Sequence, residues 1–294
     1  MMAAATLFGM PPTDGAQWWS TNPSLDCTSI HALIYEVPLA SGGRGFACGV
    51  TGTFVWLAAG GNWNTSLRTS APGSGAIGVQ YAFFDQDGNA VSLDTTSGPA
   101  TASGNSISLV LSANQPSEVQ LLGPSGGAPH YPATQTGSIF GIFFCSDPSI
   151  CASVIPQLLY SFFPVKPWLL SVPISWDSTF ALLQPSGLAK RWSAVGIQDA
   201  THLISLAIRN QSAASAFYRI RVYDQHGLIA GEAATPVIPA GGVRAALLAD
   251  IVGNTLPTGI LKVAVEGDAA SSVSVLQFNG DSAASLQVAS DATP

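Results

Sequence analysis

The sequence predicts an all-β chain of two tandem antiparallel β-sandwich domains, and three observations predict it. Phe83-Phe84-Asp85-Gln86-Asp87-Gly88 returns as Val222-Tyr223-Asp224-Gln225-His226-Gly227, so an internal repeat joins the two halves. Ahead of that turn, Tyr218, Ile220 and Val222 alternate with Arg219, Arg221 and Tyr223, the period of two of a strand with one face on a core. The other apolar runs are short and punctuated by Gly, Pro, Ser and Asn, and none sustains a helical period over several turns.

The elements follow in order. The repeat spacing of 139 residues from Asp85 to Asp224 holds ungapped upstream, aligning Thr65-Ser66-Leu67 with Ile204-Ser205-Leu206. In the first copy Val79, Tyr81 and Phe83 are expected inward, ending in the turn Asp85-Gln86-Asp87-Gly88. There glycine supplies a positive φ and aspartate bonds nearby backbone amides, and the same reasoning makes Asp224-Gln225-His226-Gly227 a hairpin turn. Further strands are expected at Ile107 to Leu111, Val119 to Leu122, Ser138 to Phe144, Ile260 to Val265 and Val273 to Phe278, with one brief helical turn at Leu247 to Ile251.

The 294 residues, 47% of them apolar, suffice for two ordinary cores. The expected division is an N-terminal extension (1–27), a first sandwich (28–167), a second (168–289) and a tail (290–294). The apolar stretch Val154 to Trp176 sits at the division, and Pro156, Pro164, Pro167, Pro173 and Lys166 argue against a membrane-spanning helix. It reads instead as an extended connector whose side chains pack between the sandwiches. Trp56, Trp168 and Trp176 lie in apolar runs and are expected in the core.

Charged residues make up only 9% of the chain, with a net charge of −7. Up to Ile150 only Arg44 and Arg68 oppose eight acidic residues, so no basic face is offered to phosphates and nucleic acid is not an expected partner. Cys27, Cys48, Cys145 and Cys151 form two local pairs in sequence, and their even number in so uncharged a chain favours disulfides and an oxidising compartment. Pairing Cys27 with Cys48 and Cys145 with Cys151 is the simplest of three connectivities; four reduced thiols are the competing reading. No CxxC or flanking histidine suggests zinc. The start, MMAAATLFGMPPTDG, lacks a basic region and a long apolar stretch, so export is inferred from cysteines and composition rather than from a visible signal peptide.

The run from Gly60 to Leu93, with its Gly-Gly-x-Trp opening and strand ending in a DG-type turn, resembles uncharacterised secreted bacterial proteins built from tandem immunoglobulin-like β-sandwich repeats. Ala194 to Glu232 resembles the second copy. The resemblance covers most of the chain after about Phe54 and implies a fold and an extracellular or cell-surface setting; its motifs are structural and carry over no catalytic residue. The cysteine-bearing first 50 residues and the loop Asp94 to Gly104 depart from the pattern.

Candidate chemistry is sparse, and no enzyme is expected. Gly123-Pro124-Ser125-Gly126-Gly127 has the letters of a nucleophile elbow with His130 nearby, but the following Ala-Pro-His-Tyr-Pro cannot start the helix that an elbow requires. His31, His130, His202 and His226 are isolated in sequence. Asp85 and Asp87 supply only a fragment of a calcium loop, which turn chemistry explains without metal; no cofactor is expected. Trp18, Trp19, Trp63 and Trp192 lie in polar or glycine-rich surroundings, where an indole can stack on a sugar or anchor an interface. The leading expectation is an extracellular structural or adhesive protein that contacts a protein partner, a surface or its own copies. The alternatives are a carbohydrate-binding accessory module with a polysaccharide partner and, third, a hydrolytic enzyme.

Overall fold

The computed structural model describes residues 18–28, 32–39, 43–61, 63–70, 75–95, 101–103, 105–124, 134–162, 178–181, 189–253, 256–279 and 282–290. In the first half these form β1 (Leu33–Pro38), β2 (Arg44–Ala59), β3 (Trp63–Ser70), β4 (Ile77–Asp85), β5 (Leu93–Thr95), β6 (Thr101–Ser103), β7 (Ser106–Leu111), β8 (Ser117–Pro124), β9 (Gln135–Cys145), α1 (Pro148–Ala152), β10 (Ile155–Phe162) and β11 (Ser178–Ala181). The second half forms β12 (Arg191–Gln198), β13 (His202–Asn210), β14 (Tyr218–Tyr223), β15 (Ile229–Ala234), β16 (Val243–Leu247), α2 (Leu248–Val252), β17 (Gly259–Gly267), β18 (Ser271–Asn279), β19 (Ser282–Ser285) and β20 (Val288–Ser290).

The strands pair antiparallel into four sheets. Sheet A runs β1-β2-β9-β4-β7-β6, sheet B β11-β10-β3-β8-β5, sheet C β15-β14-β17-β12-β20 and sheet D β16-β13-β18-β19. Alternation drives this: β8 buries Val119 and Leu121 while Glu118 and Leu122 face out, and β14 buries Tyr218, Ile220 and Val222 as the sequence predicts. One apolar cluster draws Phe54, Tyr81, Phe83 and Ile139 from sheet A and Leu67, Leu121, Leu158 and Tyr160 from sheet B. A second draws Ile220, Val222 and Val263 from sheet C and Ile204, Leu206 and Val275 from sheet D. Each pair of sheets thus encloses its own core, as in a β-sandwich.

The sequence repeat extends into topology. The run β2-β9-β4-β7 has its counterpart in β12-β17-β14-β15, and β10-β3-β8 in β18-β13-β16. The short strands β5 and β6 have no counterpart among the described residues of the second half; they fall around the Asp94 to Gly104 stretch that departs from the repeat. The expected strands and the helical turn near Leu247 all form. The strand β11 pairs with β10 across the expected division at residue 167, and the Trp168 and Trp176 positions lie outside the described residues.

The two repeated turns are near copies. Asp85 Oδ1 accepts the backbone N–H of Asp87 and Asn89 at 2.9 and 2.8 Å, and Gly88 has φ +85°. Asp224 Oδ1 accepts those of His226 and Leu228 at 2.8 and 2.9 Å, and Gly227 has φ +77°.

Sheet A carries an added layer. Ser20 and Phe46 exchange backbone hydrogen bonds of 2.7 Å, and a Cys27–Cys48 disulfide, with Cα atoms 5.5 Å apart, ties the N-terminal segment down. Trp18 corrects an expectation: placed by its polar neighbours among exposed rings, it is fully buried against Phe144. The reason lies far away in sequence. Gly78 leaves the space the Trp18 indole fills, Gly45 seats Trp19, and a side chain at Gly49 would overlap the Tyr35 ring. The second disulfide, Cys145–Cys151, joins the end of β9 to α1, whose first turn is capped by the Asp147 carboxylate accepting from Ser149 N–H at 2.8 Å. No helix among the described residues is long and apolar enough to cross a membrane.

Candidate functional site

The densest set of unusual side chains lies at the seam where the outer face of sheet D meets β2, β9 and the β4 turn. Its centre is apolar: Val55 packs on Ala207 and Val243, with Trp56 and Ala245 alongside. Small residues on the sheet D face let the two halves approach closely there.

The first repeated turn clamps one side of this seam. Gln86 O accepts from Val243 N–H at 2.8 Å and from Arg244 Nη1 at 2.7 Å, and Arg244 Nη2 meets Asp87 Oδ1 at 2.9 Å. A Cβ on Gly88 would run into Ala240 O and lie 2.9 Å from Gly242 N. In the second turn a Cβ on Gly227 would meet nothing within 4 Å.

Arg209 fastens the seam from the opposite direction. The residue is only 7% exposed, yet no carboxylate of the described residues pairs with it. Its Nε donates to Ser138 Oγ at 3.1 Å, Nη1 donates to Gln211 Oε1 at 2.9 Å, and the guanidinium lies 5.7 Å from the Phe84 ring centre. Burial pushes its pKa down to about 10. Gln211 Nε2 reaches Thr53 Oγ1 at 3.4 Å and Ser272 Oγ at 2.8 Å, completing a polar chain between halves.

Two cavities flank the apolar centre and share Trp56 and Ser274. One of about 220 Å³ is walled by Trp56, Trp63 and Tyr160 against Ser205, Ala207, Ala245 and Leu276. The other, about 320 Å³, runs along Thr53 to Trp56 toward Leu286 and Val288. In the first, Trp63 meets Tyr160 edge-on at 6.0 Å, and the Tyr160 hydroxyl donates to Trp56 O. Burial raises the Tyr160 pKa well above its ordinary value, so the donor keeps its proton.

Of the residues singled out in the sequence, Trp56, Trp63 and Asp87 are brought to the seam, and Asp85 closes the turn that carries Asp87. Trp18 and Trp19 lie over sheet A, and Trp192 donates its indole N–H to Ser271 Oγ at 3.1 Å. Asp199 binds His202 Nδ1 at 2.9 Å, and its carboxylate also accepts from the N–H of Thr201 and of His202, which hold its pKa well below the usual range. The Thr201 hydroxyl shares that same Nδ1 at 3.1 Å, so the cluster closes a turn and does not form a relay through the imidazole. His31, Ser125 and His130 lie outside the described residues. Among those described, no three His, Cys, Asp or Glu side chains converge.

Sequence reasoning missed Arg209, Arg244 and Ala207, because nothing local marks a strand residue as facing another sandwich. The glycine pair Gly241-Gly242 ahead of β16 was the available signal of a close backbone approach. Comparison with protein-family models, with curated proteins and with solved structures finds no match to this chain.

Proposed function

We propose that this chain is an extracellular structural or adhesive protein, a pair of immunoglobulin-like sandwich domains that presents a sheet face to a protein partner, a surface or further copies of itself. The pairs β3–β8 with β4–β9, and β13–β16 with β14–β17, cross between sheets as the central strands of an immunoglobulin-like Greek key do, which supports that reading and the kinship with secreted tandem-repeat proteins. Two disulfides fit an oxidising, extracellular setting. In this reading the chain turns over no substrate.

One observation carries the contact role. The N-terminal segment covers part of the outer face of sheet A through Trp18 and Trp19, whereas among the described residues the matching face of sheet C keeps apolar side chains exposed. There Ile197 and Ile260 stand opposite each other in register, with Val195 beside them, at 43%, 53% and 57% exposure. Lys262 stands opposite Val195, and further along the same strands runs a charge ladder, Arg191–Glu266 at 2.9 Å and Arg219–Glu232 at 3.3 Å, giving an apolar patch flanked by charge on one side. The seam contacts hold the second half against the first while this face is offered.

Light scattering and negative-stain imaging of the oxidised protein across a concentration series test the self-associating branch. Regular assemblies that Ile197→Lys abolishes are the expected result. A monomer at every concentration removes self-assembly, and adsorption to protein-coated against polysaccharide-coated surfaces then decides between protein contact and the carbohydrate alternative, which rests on the partly exposed Trp19, Trp63 and Trp192. Failure to adsorb to either surface overturns both readings.

A further inference from the structure

The smaller seam cavity is built rather than left over. Its floor is the outer face of sheet D, where Ala207 stands opposite both Ala245 and Ser274, and Ser205 opposite Leu247 and Leu276. Ala and Ser at the middle of a packed sheet face leave a slot that Val or Leu would close. The roof is aromatic, and it is held without any ligand: the Tyr160 hydroxyl is tied to Trp56 O, and Trp63 packs on the Tyr160 ring. Walls fixed in advance lose little freedom when something binds.

The lining also says what kind of molecule fits. No charged side chain faces the cavity among the described residues. The Ser205 hydroxyl already donates to Ala246 O at 3.1 Å. A charged ligand would shed its water with no counter-charge to meet, and a sugar would bury hydroxyls that find few partners. A flat, neutral ring meets aromatic side chains above and the methyl groups of Ala207 and Ala245 below. An apolar cavity of about 150 Å³ accommodates benzene; about 220 Å³ leaves room for two fused rings.

We propose that this cavity is a binding site for a neutral, planar aromatic small molecule of one or two fused rings, inserted between the Trp56–Trp63 roof and the Ala207–Ala245–Ser274 floor. The site is independent of the contact role of sheet C, whose face lies elsewhere.

The test uses the full oxidised chain, titrated with 2-naphthol and separately with naphthalene-2-sulfonate, by calorimetry and by quenching of tryptophan fluorescence. One saturable site for 2-naphthol is expected, with the sulfonate at least tenfold weaker. Ala245→Leu and Ser274→Leu fill the slot from opposite strands, and each is expected to weaken 2-naphthol at least tenfold while near-ultraviolet circular dichroism stays that of the parent. Three results overturn the proposal: no saturable site on the parent chain; equal binding of the sulfonate; or undiminished binding in a folded filled variant. Because the first two are read on the parent chain, misfolding of a variant does not rescue the idea.

Discussion

Gly88→Ala and Gly227→Ala make the same change at equivalent points of the two repeated turns. Both glycines have positive φ, +85° and +77°, so an L-residue costs about 1–2 kcal/mol at either, less the few tenths to about 1 kcal/mol gained by stiffening the unfolded chain. For Gly227 nothing more is expected, because its Cβ would enter open space. For Gly88 the new methyl meets the backbone of Ala240 to Gly242, which no rotamer change can clear. Forcing the seam apart adds about 1–3 kcal/mol of overpacking, and loosening the Gln86–Val243 and Asp87–Arg244 bonds adds about 1 kcal/mol each. The expected losses are about 1 kcal/mol for Gly227→Ala and about 4–6 kcal/mol for Gly88→Ala. Urea unfolding followed by tryptophan fluorescence reads both, with small-angle scattering in native buffer to detect an opened seam. Since two cores need not unfold together, the midpoint of each transition is compared. Equal shifts in the two variants, with an unchanged scattering profile for Gly88→Ala, would refute the claim that the first turn clamps the halves.

Arg209→Met is expected to leave stability within about 1 kcal/mol of the parent. It removes a desolvation penalty of about 3 kcal/mol along with two hydrogen bonds of about 1–1.5 kcal/mol each. Arg209→Ala, which also opens a hole, should lose about 2–4 kcal/mol in the same urea assay, and a loss above about 2 kcal/mol for the methionine variant would show that the charge itself holds the seam. Replacing Cys27 and Cys48 by serine should cost about 3 kcal/mol, and replacing Cys145 and Cys151 about 2 kcal/mol, because the separations closed are 21 and 6 residues; a reversed order in calorimetric melting would contradict the loop argument. Burial raises the pKa of Tyr81, Tyr160 and Tyr218, the last to about 12. A raised folded value means that their contribution is fully present below pH 10 and is lost as pH climbs through the folded values. Unfolding free energy should therefore fall above about pH 10, less steeply in Tyr218→Phe, and phenolate absorbance that appears in full at the ordinary value without loss of structure would disprove it.

Much of the fold was legible because the signals are local. The period of Tyr218, Ile220 and Val222 depends on residues two apart, and the Asp85 and Asp224 turns are closed by amides two and four residues on. The cysteines needed only short loops to find one another. Trp18 was misread because its surroundings in sequence are polar, while the glycine that makes its seat, Gly78, is sixty residues away. The candidate site was the least legible part. Trp56 was expected as core and Trp63 as an exposed ring, and they roof the same cavity. Ala207 and Ala245 carried no signal, since alanine marks a floor only when an indole from another sheet stands above it.

The sequence by itself determined the strand class, the duplicated unit and the two glycine turns, because backbone preference and side-chain alternation are set within a few residues. Tertiary structure alone decided which copy of the turn becomes a clamp, why Arg209 is buried with no carboxylate of the described residues beside it, and where an apolar slot remains between two sheets. Those outcomes depend on surfaces brought together from residues far apart in the chain, and desolvation is a property of the assembled surfaces rather than of either segment.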